Sequence, residues 1–184
     1  MLEHLIDRLK QDEIHWVQLS YLFEEREIPA KTILLNEGEI AHQLFFIKKG
    51  CLRLWFNNDG KDITFQFFFE KQAVSSIESL LSGQPSQFTL ESIEPTTVVA
   101  VGKDDFNMLC DLYLEIKNEL QKITFQRMGN YAMLFLSRIK DNPRKRYNEL
   151  LKTNPVIIRR VPQHYIASYL GITPISLSRI RNKK

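Results

Sequence analysis

No apolar run in the 184 residues reaches the ~18 positions that a membrane-spanning helix requires, so the sequence offers no transmembrane segment. Cysteine is scarce. Cys51 and Cys110 form no CxxC pair and suggest no disulfide framework, which points to a reduced, cytoplasmic setting. The amphipathic, charged start (MLEHLIDRLKQDEIHW) is not that of a secretory signal. Of four histidines, His4, His15 and His164 fall on expected helices, and only His42 lies among expected strands. A metalloenzyme on a β scaffold needs His and carboxylate ligands clustered on neighbouring strands, and no such cluster is present. No Ser-His-Asp or Cys-His arrangement is suggested either, so the chain reads as a non-enzyme with no metal site. Glycine and proline number seven each, and 43% of residues are apolar and 26% charged. That is the composition of an ordinary globular protein of one or two domains.

Charge is unevenly spread. Residues 139–184 hold eleven Lys or Arg against Asp141 and Glu149, a net +9, which leaves −6 on the preceding 138 residues of this +3 chain. A basic C-terminal module on an acidic body is the electrostatic footprint of a nucleic-acid reader. The same segment contains QHYIASYLGITPISLSR at 163–179, read as two short helices around a tight turn. Ile166, Ala167 and Leu170 share one face of the first helix, and Leu177 and Ile180 share one face of the second. Gly171 can end a helix in the left-handed conformation, Thr173 can cap the next, and Pro174 fits its first position. This is the spacing of a DNA-binding helix-turn-helix.

Upstream, Leu2, Leu5, Ile6, Leu9, Ile14, Val17, Leu19 and Leu22 predict one or two helices over 2–25, with Asp12 a cap for the second. From about 28 to 102 the pattern shortens to strands: Thr32–Leu35, Gln43–Lys48, Cys51–Asn57, Asp62–Phe69, Gln87–Ser92 and Thr96–Val101. The turn Asn57-Asn58-Asp59-Gly60 is a hairpin signal, and 76–81 fits a short helical insert ended by Gly83-Gln84-Pro85. Regularly spaced short strands imply a β-barrel, sandwich or jelly-roll. Asp104 then caps a short helix over 105–110.

A long helix follows, over about 111–138. Leu109, Leu112, Ile116, Leu120, Ile123, Arg127, Asn130 and Leu134 recur along this stretch at three- and four-residue steps, a coiled-coil-like seam. The seam either pairs with its copy in a two-fold dimer or packs on its own barrel. Asp141-Asn142-Pro143 is a hinge, PRKRYNELLK (143–152) a further helix packing Tyr147, Leu150 and Leu151, and VIIRR (156–160) a short strand. The fold class is thus α+β. A β-roll or jelly-roll with flanking helices and the long helix occupies 1–138, and a helix-turn-helix domain occupies 139–184.

Roll, long helix, hinge and basic helix-turn-helix, in that order, resemble the Crp/Fnr superfamily of bacterial transcription regulators across nearly the whole chain. The resemblance rests on Asn36-Glu37-Gly38-Glu39, on Leu44-Phe45-Phe46-Ile47-Lys48-Lys49-Gly50 with Gly60 beyond, and on Met128-Gly129-Asn130-Tyr131-Ala132. The most specific match is Ile166 to Pro174 followed by Leu177-Ser178-Arg179-Ile180-Arg181. It implies a homodimer on double-stranded DNA, RNA polymerase as a further partner, and a small-molecule effector of unknown identity.

Cyclic-nucleotide binders of the family hold the phosphate with a Gly-Glu pair and a later Arg followed by a small residue. Here the corresponding stretch runs from Phe69-Glu70-Lys71-Gln72 to Pro85-Ser86-Gln87-Phe88. Glycine is absent before Glu70, Gln87 stands near the expected Arg, and no basic residue occurs between Lys71 and Lys103. A buried phosphate without a cation is prohibitively desolvated, so cyclic AMP is not expected in the usual way. Glu70, Ser86, Gln87 and Thr124 either line a remnant cavity or are satisfied polar groups of the roll. Two cysteines cannot supply the four thiolates of an iron–sulfur cluster, and His42 alone gives no support for haem. In the second motif helix, Ser176, Ser178, Arg179 and Arg181 are groove-facing candidates, with Arg179 the best placed for bidentate contact to guanine. Gln163, His164, Thr173 and Ser178 suit phosphate, Ile175 either touches a thymine methyl or packs, and Lys183 and Lys184 suit nonspecific phosphate contact.

Overall fold

Two apolar runs, Leu44–Ile47 and Val98–Val101, build the centre of the roll because they are buried on both faces. The computed structural model describes Val17 and residues 19–182. The expected N-terminal helices, with Leu2, Leu5, Ile6, Leu9, Ile14, Asp12, His4 and His15, lie outside the described residues, as do Lys183 and Lys184. Of the end of that stretch, Leu19 and Leu22 are buried, and Ser20–Leu22 forms a 3-10 turn. The chain divides into two compact units: residues up to Leu54 with Phe67–Lys122, and Trp55–Gln66 with Ile123–Lys184.

In the first unit the strands are β1 (Glu24–Ile28), β2 (Ile33–Leu35), β3 (Gln43–Lys49), β4 (Leu52–Asn58), β5 (Lys61–Phe68), β6 (Ala73–Val74), β7 (Thr89–Ser92) and β8 (Thr96–Gly102), with β4 and β5 reaching into the second unit. They form two four-stranded sheets, β1-β8-β3-β6 and β2-β7-β4-β5. β3 and β8 are the inner strands of the first sheet, paired antiparallel with Phe45 opposite Ala100 and Phe46 opposite Val99. The six expected strands are present within two residues of their expected ends. β1 and β6 were not expected. The sequence EEREI has no apolar alternation because β1 lies at a sheet edge and four of its five side chains stay at least partly exposed.

Gly50, between β3 and β4, has φ +104°, and a Cβ there would lie 2.7 Å from Thr96 Cα. Inside the roll Arg53 is 1% exposed, and its Nε and Nη2 donate to Glu91 Oε2 at 2.9 and 2.8 Å. Helix α1 (Ile77–Ser82) is the expected insert, and α2 (Lys103–Leu112) seats Phe106 beside Phe46 with ring centroids 6.1 Å apart. Gly102, not Asp104, stands at the N-cap of α2.

The long helix α3 (Leu114–Lys140) starts after a break at Tyr113, whose backbone is extended. Leu112 therefore belongs to the end of α2 and not to the long helix. Spacing alone misplaced it, because the three- and four-residue steps continue across the break. Beyond α3, Asn142 caps α4 (Pro143–Thr153) by accepting from Lys145 N at 2.9 Å, with Pro143 at the first turn. Tyr147 and Leu150 are buried there, whereas Leu151 is exposed. The expected strand Val156–Arg160 is instead helix α5 (Pro155–Arg160). The β-branched run VII suggested a strand, but Pro155 occupies the first helical position, where its missing N–H costs nothing. Helices α6 (Gln163–Tyr169) and α7 (Pro174–Asn182) complete the second unit.

Candidate nucleic-acid interface and effector cassette

The turn between α6 and α7 is built as its residues dictate. Gly171 takes φ +66°. Ile172 N donates to Ala167 O at 3.0 Å and Gly171 N to Ser168 O at 2.9 Å, the paired bonds of a Schellman C-cap. Thr173 Oγ1 then accepts from Ser176 N at 3.1 Å, capping α7. Ala167 and Leu177 are fully buried, and Ile166 and Leu170 nearly so, which fixes the two helices against each other. Two arginines close the far end of α6: Arg138 Nη2 donates to Tyr169 O at 2.8 Å, and Arg146 Nη2 to Leu170 O at 2.9 Å. Cations at a helix C-terminus satisfy its last carbonyls and its dipole. Arg146, part of the basic count, is therefore spent on structure.

With Leu177 turned inward, the outward line of α7 is Ile175, Ser178, Arg179 and Asn182, spaced at three and four residues and all exposed. Arg181 is exposed on the flank. Ser176 is half-buried, with its hydroxyl 3.0 Å from Thr173 Oγ1, so it serves the cap. Gln163 and His164 are exposed at the start of α6. Asn182, one turn beyond Ser178, extends this exposed line.

The hairpin of β4 and β5 supplies a second feature of this unit. Ser168 Oγ, on α6, accepts from Thr64 N and donates to Asp62 O, both at 2.8 Å. Phe65 stacks at a tilt on Tyr131 of α3, centroids 5.3 Å apart. The hairpin tip is thus bonded to the first helix of the motif.

On α3 the expected seam residues share one face, and a second apolar face stands opposite it. Ile116 is buried, and Leu120, Ile123, Arg127 and Leu134 are half-buried within the single chain. Burial there pushes the Arg127 guanidinium down from its ordinary value. Asn130 is exposed at the margin of this face. The exposed apolar stripe lies on the other side: Phe125 (72% exposed), Met128 (61%), Phe135 (65%), Leu136 (45%) and Ile139 (68%).

In the first unit, Ser76 and Ser86 are buried with their hydroxyls 2.5 Å apart. Ser76 Oγ donates to Glu78 Oε1 at 2.5 Å, and Ser86 Oγ bonds both Phe88 O and Phe88 N, at 2.7 and 3.0 Å. Gln87 is exposed, and its backbone N–H points to Glu78 Oε1 at 3.4 Å. Glu70 is elsewhere: it sits in the turn after β5 and accepts from Gly50 N at 2.9 Å. Thr124 is exposed on α3 in the second unit. The cassette from 72 to 102 therefore holds three carboxylates (Glu78, Glu91 and Glu94) and no cation, and its Ser76 and Ser86 hydroxyls are already engaged. That stretch itself supplies no cation to offset a cyclic nucleotide phosphate. Among the described residues no group of three or more His, Cys, Asp or Glu is placed to hold a metal, and His42 is exposed. No helix among them is long and apolar enough to cross a membrane.

Comparison with known proteins places these features. Residues 25–113 match the cyclic nucleotide-binding domain family. The chain is 25% identical over 116 residues to a cyclic nucleotide-gated potassium channel of Mesorhizobium japonicum, spanning 63% of this chain but only 31% of that relative's length. Its fold is similar to FixK2 of Bradyrhizobium japonicum (TM-score 0.74, 18% identity, 88% of this chain and 83% of that one). It is also similar to a transcriptional regulator assigned to the Crp/Fnr family from Eubacterium rectale (TM-score 0.70, 16% identity, 88% and 78%). Residues 25–113 thus form a cyclic nucleotide-binding-type β-roll, in a chain with the α+β fold of Crp/Fnr-type regulators.

Proposed function

We propose that the chain is a homodimeric, sequence-specific transcription regulator that binds double-stranded DNA through α6 and α7. The observation that carries this reading is the capped helix-turn-helix, whose exposed second-helix face lies within a +9 segment. In the reading, α7 enters the major groove, Arg179 contacts guanine, and Gln163, Thr173, Ser178 and Arg181 position the motif on phosphate. A second copy covers the stripe Phe125, Met128, Phe135, Leu136 and Ile139, because a large contiguous apolar face on a long helix marks an interface. Two copies related by a two-fold axis present two recognition helices to two half-sites.

In this reading the roll does not hold cyclic AMP in the usual way, since Ser76 donates to Glu78 and residues 72–102 supply no cation to a phosphate. That observation also favours a second reading, in which the protein binds DNA without any small molecule. In-vitro selection of bound DNA, repeated with Arg179→Ala, tests the main reading. The variant should relax the preference at one base pair of each half-site by ~1–3 kcal/mol. Equal weakening on all sequences would make Arg179 a phosphate contact. Tight specific binding by the protein with no additive would decide for the ligand-free reading.

A further inference from the structure

Ile175 is a large aliphatic residue of α7 that neither the core nor the turn uses. It is 66% exposed, at the second position of α7. It lies on the same outward line as Ser178, Arg179 and Asn182, opposite the fully buried Leu177. A large aliphatic side chain at the tip of a basic motif gains nothing from phosphate, and its sequence alternative, packing into the core, does not occur. The one apolar group that base edges present in the major groove is the C5-methyl of thymine.

We infer that Ile175 is a specificity-determining residue that reads a thymine methyl. This rests on the DNA-binding reading and deepens it. Ile175 and Arg179 are four residues apart, about 6 Å along the helix axis, or roughly two base-pair rises of 3.4 Å. Each half-site therefore carries a thymine within about two base pairs of the guanine bonded by Arg179. Asn182, one turn from Ser178, continues the line and is the next side chain to meet the duplex.

The test uses the full chain and its own selected DNA. Each thymine of the half-site is replaced in turn by deoxyuridine, which removes only the methyl group. At one position the wild-type affinity should fall about fourfold, the value of one buried methyl-sized group. Ile175→Ala should bind thymine and deoxyuridine duplexes equally at that position while keeping its preference at the Arg179 guanine. Ile175 is exposed, so the variant's fold can be verified by its unchanged circular dichroism. Equal sensitivity of wild type and Ile175→Ala to deoxyuridine would overturn the assignment, as would selected sites without thymine near the guanine. Failure of the chain to select any DNA would instead overturn the underlying DNA-binding reading, and this inference with it.

Discussion

Gly50 shows how much one position can carry. Its φ of +104° is a region that side chains rarely adopt, and a Cβ would meet the Thr96 backbone at 2.7 Å. Left-handed strain alone costs roughly 1–2 kcal/mol per residue. Gly50→Ala should therefore lower the unfolding free energy by at least about 1–2 kcal/mol, read from the urea midpoint at unchanged slope. Asp141 gives a pH-dependent counterpart. The hydrogen bond from Lys145, at 2.7 Å, holds its carboxyl below the ordinary value of 3.8. A carboxyl depressed on folding contributes stability that is present above the unfolded value and is lost as pH falls through the lower folded one. The Asp141 carboxyl resonance should accordingly titrate below pH 3.8, and Asp141→Asn should flatten the acid limb of the stability curve. Residues of this kind were legible in part. Gly171, Thr173 and Pro174 were assigned from local chemistry, because turns and caps are decided within four residues. Glu70 was placed by its neighbours in sequence, whereas its partner, Gly50, is twenty residues away.

At the scale of elements, the long helix separates what a sequence period can and cannot decide. The steps of three and four residues gave a helix and an apolar stripe, and both are present. They did not say which stripe the chain itself covers, because α3 is apolar on two sides. Ile116, Leu120, Ile123, Arg127 and Leu134 are the side partly covered within one chain, and Phe125, Met128, Phe135, Leu136 and Ile139 the side left open. Two substitutions separate these roles. Phe135→Asp should leave the unfolding midpoint of dilute protein nearly unchanged and turn a dimer into a monomer by sedimentation. Leu134→Ala should lower stability, by less than the 2–5 kcal/mol of a fully buried leucine, and leave the sedimenting species dimeric. A monomeric wild type would remove the second copy from the proposal. The helix α5 was misread for a related reason: VIIRR has strand composition, and only the preceding Pro155 signals its helical start. The strands β1 and β6 were missed because strand pairing at an edge leaves little apolar imprint.

At the scale of the whole molecule, the division of charge sets how the chain meets a polyanion. The basic 139–184 segment is opposed by an acidic remainder, so attraction to DNA is local and the rest of the chain repels it. Arg146 is committed to the carbonyl ends of α6 and to Asp141 O, at 2.7 Å, and cannot also neutralise phosphate with those groups. Among the described residues, exposed Arg181 and Lys152 have no such commitment. Affinity for nonspecific duplex should fall steeply with salt, with a logarithmic slope of about −0.9 for each phosphate neutralised. Arg181→Ala should reduce that slope by about 1 unit per protomer and weaken all sequences alike, while leaving intact the base preferences proposed for Ile175 and Arg179. The same titration bears on the roll. With no cation between Lys71 and Lys103 and with Glu78 on the cassette serines, adding cyclic AMP should shift neither the salt slope nor the midpoint of DNA binding. A ligand changes an equilibrium only through differential affinity for its two states. A shift caused by cyclic AMP would mean that a cation from outside the cassette reaches the phosphate, and the reading of the roll would have to be replaced.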